Sequence, residues 1–268
     1  MTKKILSICC LLLLISCTSS HSWTKITRPR LFLVSQNNVA QLSELAKKEY
    51  MFKRKKHNGF FEKLIMKKIC EEVSNELNFD INFTIVNTNN PEAFCLVNGE
   101  LFISTGMIKT TMNEAELTTL VSYLSFLAKF RLIDERLSFL MQRGHREELN
   151  DILNKKIRIT PRFMNALGIM PISPKEKYRI YSFEESYMKE ADLYSFYYLG
   201  NKGYTPLAVV HYWDSFPKNS GFFRLHPFTS SRNRNSKYGI EGSMKLWKKI
   251  KKHKQYGQDY KDKFNNLK

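Results

Sequence analysis

Glycine and proline are scarce in this chain, at 11 and 8 of 268 residues. That excludes a collagen-like repeat or a Pro-rich low-complexity polymer. Acidic residues are also few: 25 Asp and Glu face 43 Lys and Arg, a net charge of +18. Long apolar runs are missing, since the longest, Ile5 to Ile15, falls far short of the about 20 residues that span a bilayer. There is no G-x-S-x-G nucleophile elbow and no Gly-rich phosphate loop. What remains is 43% hydrophobic and 13% aromatic, enough apolar mass for a true core and too much for a disordered chain.

The first residues carry an export pattern. Lys3 and Lys4 form a basic n-region, and the run from Ile5 to Ile15 is a signal h-region rather than a membrane span. Leu14-Ile15-Ser16-Cys17 follows at once and resembles the bacterial lipobox, in which the Cys is acylated, with palmitate among its chains, and the peptide is cut just before it. The resemblance implies a signal peptide over 1–16, an anchor at Cys17 and a place in the bacterial cell envelope. Thr18, where an Asp is absent, resembles the outer-membrane sorting pattern, with the domain facing the periplasm. An exported basic protein is expected to meet anionic head groups, each nearby Lys or Arg contributing about 1 kcal/mol, and not nucleic acid. Two cysteines then remain, Cys70 and Cys95. One disulfide and two buried thiols both suit them.

Along the mature chain, 18–40 reads as a polar tether and Val39 to Tyr50 as a short amphipathic helix. Phe61, Leu64, Ile65, Ile69, Val73 and Leu77 recur at helical spacing. Ile81, Phe83 and Ile85 alternate as in a strand. Ala93 to Val97 and Glu100 to Ser104 flank Asn98-Gly99, a strong hairpin signal. Asn113 and Glu116 form a capping box before an apolar helix, Leu117 to Phe130, expected to be central and buried. Further helices are expected over Leu132 to Leu153, Glu184 to Leu199 and from Thr205-Pro206, the last of core character, with packing the expected role of its His211 and Trp213. Nine Lys and two Asp in 245–268 make a basic C-terminal tail, solvated or lying on a membrane. The expected fold class is α+β, mainly helical, with a small sheet containing the hairpin at 93–104. The expected organisation is a tether and short helix over 17–57, one domain over 58–243 and the tail over 244–268.

The order of landmarks resembles a known family. Glu92-Ala93-Phe94 and Gly99, then Phe102-Ile103-Ser104-Thr105-Gly106-Met107, precede the capped helix at Glu116-Leu117. Glu190-Ala191-Asp192, Gly203-Tyr204-Thr205-Pro206 with Ala208, and His226-Pro227 with Thr229 and Arg232 follow in order. The series resembles the zinc metallopeptidases related to the CAAX prenyl proteases, in their soluble periplasmic branch, the outer-membrane β-barrel assembly-enhancing peptidases. The resemblance implies a metallopeptidase-like fold with HExxH on the buried helix. In that motif two His at i and i+4 bind zinc and the Glu activates its water. A third ligand, a Glu, comes from a later helix, leaving one position open.

On those positions this chain carries Tyr123 and Leu127 for the two His, Leu124 for the general base and Met188 for the third ligand. No His, Asp or Glu lies between Leu117 and Arg131, so shifting the register does not restore the motif. Glu184, Glu185 and Glu190 are the acids near Met188. The metal site is therefore expected to be lost, with no catalytic residue and no zinc. Asp192 and His226 remain as cleft residues, and a hydrogen bond from Tyr123 to Asp192 is expected to satisfy that buried acid. His145 with Glu148 at i, i+3 is a conceivable relocated ligand pair, set beside Arg143 and Arg146. The expected function is a non-catalytic binder of extended peptides or an assembly factor for envelope proteins. A zinc endopeptidase with relocated ligands and a structural membrane-surface lipoprotein are the alternatives.

Overall fold

The computed structural model describes residues 30–52, 54–169, 182–218 and 220–249. Cys17 and its signal, the tail beyond 249 and the prolines at 171 and 174 lie outside them. Leu31 onward forms one compact unit. The fold is α+β and mainly helical, with one three-stranded mixed sheet. Among the described residues no helix is long and apolar enough to cross a membrane.

Helix α1, Gln36–Met51, starts where the Ser35 hydroxyl accepts from Asn38 N–H. Its Val39, Leu42, Ala46 and Tyr50 sit in the same core as the sheet. The stretch from Leu31 is thus part of the folded unit, although the sequence reads it as tether up to residue 40. Helix α2, Phe60–Leu77, leads to β1, Asn82–Val86. Strands β2, Ala93–Cys95, and β3, Glu100–Ser104, form the expected hairpin. Its turn closes with Gly99 N–H on the Leu96 carbonyl and Leu96 N–H on that of Glu100. Gly99 has φ +82°, the left-handed position such a three-residue loop reserves for glycine.

The strand order is β1-β3-β2, with β1 parallel and β2 antiparallel to β3. Residues 55–57 cover the outer side of β1, which leaves β2 as the other edge. Tyr50 of α1 packs edge-on against Phe94, which stacks on Phe102. On the opposite face lie α2 and the buried helix α4.

A short helix α3, Thr105–Thr110, precedes α4, Glu114–Lys129. Every residue of α4 from Ala115 to Ala128 is buried, as an all-round apolar sequence requires. The capping box forms with one difference. Asn113 Oδ1 accepts from Glu116 N–H, but the Glu116 carboxylate returns to the N–H of Met112 rather than Asn113. The long helix expected over 132–153 is two: α5, Leu132–Gln142, and α6, Arg146–Leu153. Gly144 between them sits at φ +88°, a conformation that ends a helix.

Helix α7, Pro161–Ala166, is short, whereas α8, Ser182–Asn201, packs along both α4 and α11. Helix α9 is Leu207–Ser215, α10 is Gly221–Leu225 and α11 is Ser230–Lys249. Helix α11 runs past residue 244, where the sequence places the start of the tail. On α9, Trp213 is buried as expected, but His211 is exposed and not part of the core.

Candidate functional site: a buried guanidinium–carboxylate pair

Two helices and one connection bring the expected positions together. Helix α4 supplies Tyr123, Leu124 and Leu127; α8 supplies Met188 and Asp192, one turn apart; the α10–α11 connection supplies His226. All six are buried. The convergence follows from helical geometry, since residues at i and i+4 share a face and α8 lies along α4.

The residue at the centre is Arg232, in the first turn of α11, with no exposed surface. Its Nε and Nη2 donate to the two Asp192 oxygens at 2.8 and 2.7 Å. Its Nη1 donates to the carbonyls of His226 and Pro227 at 3.1 and 2.9 Å and lies 3.9 Å from Met188 Sδ. The guanidinium also lies over the rings of Trp213, Tyr123 and Phe228, at 4.4, 5.3 and 5.4 Å to their centroids. A buried ion needs a matched partner and satisfied hydrogens, and here it has both. Burial pushes the Asp192 carboxyl up, and the Arg232 charge opposes that shift. The Trp213 indole lowers it slightly, though its N–H makes no hydrogen bond of good geometry.

This arrangement corrects one expectation. Tyr123 does not satisfy Asp192; both carboxylate oxygens belong to Arg232. The Tyr123 hydroxyl instead lies 3.3 Å from His226 Nδ1, and the two rings meet edge to face at 5.5 Å. Burial raises the Tyr123 phenol well above its ordinary value. Burial, with the charges of Arg136 and Arg232, holds His226 well below its own. Both groups are therefore neutral at physiological pH, with Tyr123 the donor when His226 carries its proton on Nε2.

The acids near Met188 face elsewhere. Glu184 accepts from Arg136 at 2.8 Å in a pair that is almost wholly buried. Glu185 accepts from Thr229 at 2.8 Å, and Glu190 accepts a long hydrogen bond from Ser186 at 3.4 Å. His145 and Glu148 do meet, at 3.1 Å, but Arg162 shares both, at 3.1 and 3.0 Å. Arg162 is thus a cation at the pair that the sequence did not point to, in addition to the neighbouring Arg143 and Arg146. Among the described residues no three His, Cys, Asp or Glu side chains are grouped as a metal would need.

Zinc does not fit the residues at this centre. One imidazole faces a phenol, Leu124 and Leu127 offer only hydrocarbon, and the Asp192 carboxylate is engaged by a fixed positive charge. A catalytic zinc needs three donors and an open position for water. The space beside His226 is a cavity of about 20 Å³, lined by Phe94, Cys95, Leu124, Leu127, Arg136 and Gly168 among others. That is room for one water molecule. No catalytic step can be derived from this set.

Cys70 and Cys95 are free and buried. Burial pushes Cys70 up to about 12 and raises Cys95 further, which makes both thiols inert. The role of Arg232 was missed in the sequence, although the residue was visible as a landmark. The signal that could have found it is Asp192 itself, because a carboxylate on a helix of core character demands a cation. A scan against models of protein families gives no match, and a search of curated proteins gives none either.

Proposed function

We propose that this chain is a lipid-anchored protein of the bacterial envelope with a metallopeptidase-like scaffold, acting without catalysis as a binder of extended peptides in envelope-protein assembly. The observation that supports the reading is the meeting of Tyr123, Leu124, Leu127, Met188, Asp192 and His226 around the Arg232–Asp192 pair. The positions that the resemblance assigns to chemistry converge, yet they hold an internally neutralised, water-poor cluster instead of a nucleophile.

Directly beside that cluster runs β2. Glu92 and Leu96 bond to Ser104 and Glu100 of the neighbouring strand, so by antiparallel alternation the main-chain groups of Ala93 and Cys95 point to the other side. An extended peptide can add there as a further strand, main-chain hydrogen bonds supplying affinity. The lipobox at Cys17 supplies the envelope location, with the outer membrane as the expected surface.

The test uses the chain without its signal and Cys17, titrated with peptides copied from outer-membrane β-barrel strands. Strand addition predicts that N-methylation of alternate peptide residues abolishes binding on one register and spares it on the other. Binding indifferent to both methylation patterns would discard the edge. Zinc content is measured on the same preparation. One tightly held zinc per chain, with peptide cleavage, would replace this reading by a metalloendopeptidase with relocated ligands.

A further inference from the structure

A second surface, far from this cluster in composition, has features the peptide-binding reading does not use. The C-terminal half of α1 and the loop after α6 form a groove of about 370 Å³. Leu45, Ile152 and Ile159 give it an apolar floor. At its rim stand two exposed apolar side chains, Phe52 at 72% and Ile157 at 43% exposure. Between them are four exposed cations, Lys48, Lys155, Lys156 and Arg158.

Some of that charge is matched locally. Arg158 makes a two-oxygen contact with Glu49, at 2.7 and 2.8 Å, which ties the loop to α1. Lys156 reaches Asp151 at 3.2 Å. Lys48 and Lys155 have no acidic partner among the described residues. Projecting apolar groups set among cations on one face are the pattern of a surface that lies in a lipid interface. There the apolar tips enter the headgroup layer and the cations meet phosphate. The groove also sits on the first helix of the folded unit. The 13 residues from Thr18 to Arg30, which precede the folded unit, span at most roughly 45 Å, so an anchor at Cys17 would keep this face within reach of the bilayer.

We propose that this groove is the face by which the domain rests on an anionic phospholipid surface. Phe52 and Ile157 enter the headgroup layer, and Lys48, Lys155, Lys156 and Arg158 pair with lipid phosphates. The proposal does not depend on the acyl anchor, and its test omits it.

The chain from Thr18 to Lys268, which contains the whole compact unit, is titrated with vesicles of phosphatidylglycerol and phosphatidylethanolamine. Two charge-reversal pairs are compared: Lys155→Glu with Lys156→Glu in the groove, and Lys63→Glu with Lys67→Glu on the exposed side of α2. Both change net charge equally, so a diffuse attraction, including that of the basic tail, treats them alike. At about fivefold per Lys near the surface, the groove pair is expected to weaken binding by at least about tenfold and the α2 pair by less than about threefold. An environment-sensitive label on Phe52→Cys should brighten on these vesicles, and one on Phe60→Cys should not. Equal loss from both pairs, an equal response of both labels, or no binding to anionic vesicles overturns the proposal.

Discussion

Replacing Arg232 by Met removes the cation that pairs with Asp192 while keeping a long apolar side chain in its place. The side chains of this pair are 0% and 1% exposed, so no solvent screens the orphaned carboxylate. Breaking a buried pair on one side costs about 3–5 kcal/mol. For a folded unit of this size, that lowers Tm by roughly 6–20 °C. The carboxylate escapes part of the cost by binding a proton, because burial already pushes Asp192 up and loss of Arg232 removes the charge opposing that shift. A group whose pKa is raised in the folded state binds more protons there than in the unfolded chain. Stability of the variant therefore rises as pH falls toward the ordinary carboxylate range, and declines as pH increases above it. The assay is urea unfolding at pH 5 and pH 7.5, with R232M, Asp192→Leu and the double variant. The double variant is expected to be more stable than R232M alone, because it leaves no buried charge. Destabilisation below about 1 kcal/mol, strict additivity in the cycle, or no pH dependence would refute the reasoning.

Two further outcomes follow from groups at and near the same centre. His226 is held well below its ordinary 6.5 by burial and two arginines, so the unfolded chain gains a proton there that the folded one refuses. Its contribution makes stability fall as pH drops below about 6.5, by up to about 1.4 kcal/mol per pH unit; His226→Phe should flatten that slope, and an unchanged slope would assign it to other groups. Cys70 and Cys95 should both resist a thiol reagent in the native protein and both react after unfolding without reductant. Mass analysis of the labelled chain checks this, and labelling that appears only after reduction would mean a disulfide.

Local signals carried much of the fold. The helical periodicity over 60–77, the capping residue Asn113 and the Asn98-Gly99 turn each act within a few residues, where propensity and capping decide conformation. The break at Gly144 was also local and was overlooked, because the apolar spacing on both sides of it continues. The exposure of His211 was not legible, since helix α9 is apolar enough to be placed either way round. Only packing chooses the face. Residues 31–40 differ, because Leu31-Phe32-Leu33-Val34 is an apolar run that a tether reading passes over, and Val34 and Val39 dock it in the core.

The sequence by itself determined that no His, Asp or Glu stands between Leu117 and Arg131, the part of the central helix beyond its first turn, because that is a fact of composition and survives any register. It also determined that the central helix is buried, because no face of it is polar. Only the tertiary structure decided what fills the centre. Tyr123, Asp192, His226 and Arg232 lie up to 109 residues apart in the chain, counted from 123 to 232. Which of two acceptors a hydroxyl or a guanidinium takes is settled by differences of an ångström between helices. A buried carboxylate prefers a five-donor cation to a neutral phenol, and the packing of α11 against α8 places that cation within reach.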